Sequence, residues 1–97
     1  MWRQGDILFM KETRPLGKTT PKGSNIILHG EATGHSHKVE GAGQIVLSEG
    51  TEDQFLVAND NVRIVHEEHH TIELPEGVYR IRRQREFDGE AIRYVHD

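Results

Sequence analysis

The sequence contains no cysteine in its 97 residues. That absence excludes a disulfide framework, a zinc ribbon and thiol catalysis together, and leaves any metal to histidine, aspartate and glutamate. Aromatic residues are few, with one Trp, two Tyr and three Phe, so no clear platform for stacking bases is present. Nor does any window approach the roughly 20 apolar residues that span a bilayer. The opening "MWRQGDILFMKETRPLGK" lacks the layout of a signal peptide, so a cytoplasmic location without membrane association is expected.

A large charge of one sign is missing too. The formal net charge of -4 argues against a general polyanion binder. The average conceals a basic segment, because Arg80, Arg82, Arg83, Arg85 and Arg93 are five of the twelve basic residues. Charges interact mainly within a Debye length of about 10 Å, so a local anion site is compatible with the acidic whole. With 34% hydrophobic residues the chain supports one modest core, hence a single domain over residues 1–97. A homo-oligomer would let so small a domain share surface.

What the sequence does contain is alternation. "GDILFMK", "SNIILH", "QIVLS", "DQFLVA", "NVRIVH", "HTIEL", "GVYRIRR" and "AIRYV" are short apolar runs of period two, separated by Gly, Pro, Asn and Asp. They predict an all-β fold, a single small antiparallel β-barrel or β-sandwich. Residues 13–23, "TRPLGKTTPKG", have two prolines and two glycines without alternation and read as an exposed, mobile loop. Two hairpins are expected. The first turns at Asn59 and Asp60, pairing Val57 with Val62 and Phe55 with Ile64, so that His66 inherits the inward direction of Ile64. The second turns at Asp88 and Gly89, setting Arg85 opposite Ile92, Arg83 opposite Tyr94 and Ile81 opposite His96, on the face that begins with Tyr79. Arg83 and Arg85 would then occupy core-facing positions. They are either solvated at a twisting sheet edge or form an anion clamp, for which planar guanidinium groups are suited.

Five of the seven histidines fall into two groups, "TGHSHK" and "HEEHH". His35 and His37 share one strand face and can give two nitrogens to one metal. In the second group a straight strand would align His66, Glu68 and His70, whereas a kink would bring His66 and His69 together, and a kink is expected because alternation restarts at once. The spacing is not the helical H-E-x-x-H of zinc proteases. His29 reads as a strand end, and His96 lies too near the terminus to be ordered.

Three chemistries fit these groups. In the first, His35, His37, His66 and His69 hold a divalent metal (Zn, Mn, Fe or Ni), with His35, His66, Glu67 and Glu68 as catalytic residues. Lys38, Arg83 and Arg85 would bind the anion of an RNA or a phosphorylated small molecule, giving a metal-assisted hydrolase. In the second, the histidines act without metal as general acid and base of an endoribonuclease, with Arg stabilising the phosphorane. In the third, the chain is a non-catalytic accessory module whose histidines read pH or metal availability. The bland alternative is a solvated polar strand face.

The segments "RQGDILF", "GEATGHSHKV", "HEEHHTIELPEGVYRIRRQREF" and "AIRYVHD" together resemble a family of short bacterial proteins of uncharacterised function. Its pattern runs RQGD, G-E-x-T-G-H-x-H, H-E-E-H-x-x-I and G-x-Y-R-V-x-R-Q-R-E-Y. The resemblance implies that Gly30, Glu31, Thr33, Gly34, His35 and His37 are motif residues. It implies the same for His66, Glu67, Glu68 and His69, and for Tyr79, Arg83, Gln84, Arg85 and Glu86. Phe87 departs from the tyrosine of the pattern, and His70 lies outside it, which favours His69 as the partner of His66. A looser, cupin-like analogy rests on His35, His37 and Glu40, although that Glu comes one residue early.

Overall fold

A computed structural model of the chain describes residues 1–29, 36–51 and 53–83. Those residues form strands and connections only: β1 (Trp2–Gln4), β2 (Ile7–Lys11), β3 (Thr19–Pro21), β4 (Ile26–His29), β5 (Ser36–Ser48), β6 (Gln54–Val65), β7 (Ile72–Leu74) and β8 (Gly77–Arg83). They make one antiparallel sheet in the order β1-β2-β8-β6-β5-β3, with β4 also on β5 and β7 also on β6. The all-β, antiparallel architecture that the alternation predicts is present as an open sheet, not a closed barrel. No helix among the described residues is long and apolar enough to cross a membrane.

The sheet is organised by the β5–β6 ribbon, whose strands run 13 and 12 residues, about twice the usual length. One half of the ribbon carries β4 and β7, the other β3 and β8. Between the halves the register shifts at Gly41/Gly43. A Cβ on Gly43 would lie 2.9 Å from Val62 Cγ1 and 3.2 Å from Val57 O. Since Val57 and Val62 belong to opposite halves of β6, the ribbon folds over this glycine, and the missing side chain is what lets it do so.

The expected hairpin at Asn59 and Asp60 does not occur. β6 runs through these residues, and Val57 pairs with Gln44, Val62 with Gly41, Phe55 with Val46 and Ile64 with Val39. The reason is parity: Leu56, Ala58, Val62 and Ile64 are all buried and all even, which a continuous strand satisfies. The exposed polar residues 59–61 lie where the ribbon bends, not where it ends. The loop expected at 13–23 is also shorter than predicted, because Thr19–Pro21 pairs with Val46–Ser48 as an edge strand, where a proline costs no ladder bond. Lys22 fastens it, its Nζ donating to Ile26 O (2.9 Å), Ile27 O (3.2 Å) and Gln54 Oε1 (3.0 Å). Burial holds this ammonium below its ordinary pKa.

The core is a single cluster that includes Ile7, Phe9, Val39, Ile45, Leu56, Ile64, Leu74 and Tyr79. Trp2 meets Tyr79 edge to face, with ring centroids 5.4 Å apart, and so serves packing. The Tyr79 hydroxyl donates to Pro75 O at 2.6 Å, and burial pushes its phenol up. Arg80 lies 4.9 Å over the Phe55 ring and pairs with Glu12 and Asp53 at 3.4 Å each. β8 is flanked by β2 and β6. The second expected hairpin, with Arg85, Ile92, Tyr94 and His96, lies outside the described residues.

Candidate functional site

β1 and β7 are not hydrogen-bonded neighbours, yet the sheet curls far enough to bring them into contact. A side chain bridges the remaining gap. Gln4, only 2% exposed, donates from Nε2 to Ile64 O and to His70 O, both at 2.8 Å. Two carbonyl acceptors fix which end of the amide is nitrogen, so its oxygen must face His37 Nδ1, 2.8 Å away. Nδ1 of His37 therefore carries a proton, and in the neutral ring the lone pair is on Nε2.

The pairing of Lys38 with Val65 extends by one rung to set His37 opposite His66, on the inward face of Val39 and Ile64. The ring centroids are 4.4 Å apart. After His66 the chain bends through residues 67–69 and returns His69 to 4.6 Å from His66 and 6.1 Å from His37. Three imidazoles thus form a compact triangle at the seam.

The two-residue turn between β1 and β2 completes the support. Gln4 pairs with Ile7, leaving Gly5 and Asp6 as the turn, with Gly5 at φ +60°. A Cβ on Gly5 would sit 2.8 Å from His69 Nε2, so glycine is needed there for both backbone conformation and space. Asp6 Oδ2 lies 3.5 Å from Arg83 Nε. The "RQGD" segment therefore anchors His37, makes room for His69 and engages Arg83.

Two further bonds order the "HEEHH" segment. The Glu68 amide donates to His66 Nδ1 at 3.0 Å, which makes Nε2–H the remaining donor of a neutral His66. The Ser36 amide donates to Glu67 Oε1 at 3.0 Å. Beside them is a pocket of about 220 Å³ lined by Ser36, Lys38, Val65, His66 and Glu67. A second pocket of about 290 Å³, lined by Arg3, Gln4, His69, His70 and Ile72, adjoins the cluster through His69.

Of the residues singled out in the sequence, His37, His66 and His69 come together, and Lys38 and Glu67 share the first pocket with His66. Glu68 contributes its amide. Arg83 meets Asp6, a carboxylate of the protein itself, so the pairing gives the expected anion clamp an internal partner. His35 and Arg85 lie outside the described residues. Among the described residues no group of three or more His, Cys, Asp or Glu side chains is arranged to hold a metal ion.

Sequence reasoning missed Gln4, Gly5 and Arg3. A signal for two of them existed: a short apolar strand interrupted by Gln-Gly-Asp is a tight turn whose glutamine has the parity of the core.

The fold and site define a class, an all-β domain that gathers histidines at the seam of an open, curled sheet. The chain belongs to the family described as Domain of unknown function (DUF8820), whose model matches residues 3–84. Comparison with curated proteins and with solved structures gives no significant match.

Proposed function

We propose that the chain is a metal-independent phosphodiesterase acting on RNA, with Glu67, His66 and Lys38 as its catalytic group. The observation that carries this reading is the first pocket, which brings a carboxylate, an imidazole and an ammonium to one place, the first two oriented by backbone amides. Glu67 accepts the proton of an attacking 2′-hydroxyl as that oxygen bonds to phosphorus. Lys38 stabilises the charge that grows on the phosphoryl oxygens. Neutral His66, in the tautomer that the Glu68 amide holds, donates its Nε2–H to a phosphoryl oxygen as that charge grows. The bond to the 5′-oxygen breaks, and this oxygen takes the proton from Glu67 through water, leaving a cyclic phosphate and restoring the carboxylate.

The test is RNA cleavage by untagged, chelator-treated protein. Glu67→Gln should lower kcat by about 10²–10⁴-fold, the usual contribution of general acid–base catalysis, and His66→Ala by about 10²–10³-fold, the usual loss when one transition-state hydrogen-bond donor is removed. Absence of cleavage of any RNA under these conditions overturns the reading.

A second reading, a divalent metal centre, is favoured by one observation. A buried histidine whose Nδ1–H is held by an amide oxygen is the support that metal ligands commonly receive. His37 and His69 would hold the ion together with His35, which the H-x-H spacing supplies, and the metal would provide an activated water. Elemental analysis of dialysed protein tests this second reading. About one metal per chain, lost in His35→Ala/His37→Ala, selects the metal centre; none overturns it and leaves the first reading to the RNA assay.

A further inference from the structure

The second pocket has no role in that chemistry, although it touches the same cluster. Arg3, His69, His70, Gln4 and Ile72 line it, and among these described residues there is no carboxylate. It offers instead a guanidinium, two imidazoles and an apolar wall. Arg3 lies on β1 beside Gln4, whose bonds to Ile64 O and His70 O hold that strand against the "HEEHH" bend. The guanidinium is thus carried on a fixed strand end beside His70. Its five N–H donors let it serve an anion along with other partners.

At about 290 Å³ and 220 Å³, each pocket is below or at the low end of the range of about 300–1,000 Å³ usual for whole small-molecule ligands. Each therefore takes one group. His66 belongs to one pocket and His69 to the other, and the rings are 4.6 Å apart. A ligand that crosses the cluster from His66 to His69 would meet both pockets.

We propose that the Arg3–His70 pocket is a phosphate-binding subsite, which holds a phosphate next to the one in the Lys38–Glu67 pocket. The assignment relies on the phosphodiesterase reading only for the phosphate being part of a polymer. The subsite itself requires neither turnover nor metal.

Amide and side-chain NMR shifts are followed during titration with inorganic phosphate, then with a dinucleoside monophosphate and with a trinucleotide, in chelator-treated protein at fixed ionic strength. Saturable shifts at Arg3, His70 and Ile72 with inorganic phosphate are expected, weakened about tenfold or more in Arg3→Gln. A polymer source predicts that the trinucleotide binds more tightly than the dinucleoside monophosphate, and that Arg3→Gln removes this advantage. A free-phosphate source predicts no such advantage with shifts still at Arg3. Arg3 is exposed, so an unchanged melting temperature confirms that the variant is folded. Shifts confined to Lys38 and Glu67, or no saturation, overturn the subsite. If catalysis is absent but phosphate still saturates at Arg3, the phosphodiesterase reading fails and the subsite stands.

Discussion

Replacing Gln4 tests the support of the histidine cluster most directly. Its side chain makes three bonds of 2.8 Å, to Ile64 O, His70 O and His37 Nδ1, and the residue is 2% exposed. Gln4→Leu keeps similar bulk but strands the Ile64 carbonyl and the His37 N–H away from water. A buried polar group left unsatisfied costs about 1–3 kcal/mol. Two of them give a loss of about 3 kcal/mol, a large part of the roughly 5–15 kcal/mol that holds a domain folded. In a domain of this size the loss lowers Tm by about 12–24 °C. Gln4→Ala should cost more, because a cavity is added. Urea denaturation with an unchanged m-value measures the loss, and long-range 1H–15N correlation spectra report which nitrogen of His37 bears the proton. A cost below about 0.5 kcal/mol for Gln4→Leu refutes the reasoning, as does a wild-type neutral His37 protonated on Nε2.

The glycines and Tyr79 supply further predictions. Gly5→Ala forces a non-glycine residue to φ +60° and a Cβ to 2.8 Å from His69 Nε2; it should cost about 1–2 kcal/mol and shift the His69 ring resonances, whereas Gly17→Ala, with open space around it, should leave both unchanged. Gly43→Val should destabilise by at least about 1–3 kcal/mol, the usual effect of overpacking, measurable by thermal unfolding, because the Cβ alone meets Val62 and Val57. Since the Tyr79 phenol is raised above its ordinary 10.0, the unfolded chain loses that proton first. The associated stability is present below about pH 10 and is lost as pH rises towards the folded value. Tyr79→Phe should flatten this alkaline decline in urea melts, and comparison with the parent separates it from Lys22, which is shifted in the opposite sense.

The strands were legible because alternation is a local property. Most of β2, β6 and β8 can be read from the parity of Ile7, Phe9, Leu56, Ile64, Tyr79 and Ile81. Asn59 and Asp60 misled for the same reason. Their turn chemistry is local, whereas the bend they occupy is set by Gly41 and Gly43 on the neighbouring strand. The convergence of His37 with His66 and His69 was partly legible, from H-x-H spacing, the inward parity of His66 and the restart of alternation after "HEEHH". The role of Gln4 was not. A polar residue in a short strand acquires meaning only from the carbonyls and the imidazole that it reaches, and nothing near it in the chain announces them.

The residues joined by Gln4 are 33, 60 and 66 positions away from it along the chain. No local segment can therefore set the tautomer of His37 in advance, and a partly folded chain, with β1 undocked, exposes ordinary histidines. The position of one proton on one ring becomes a record of whether the two ends of the sheet have met. The fixed tautomer of His37 therefore exists only in the folded chain, and local opening of β1 would release it together with the packing of Trp2 on Tyr79.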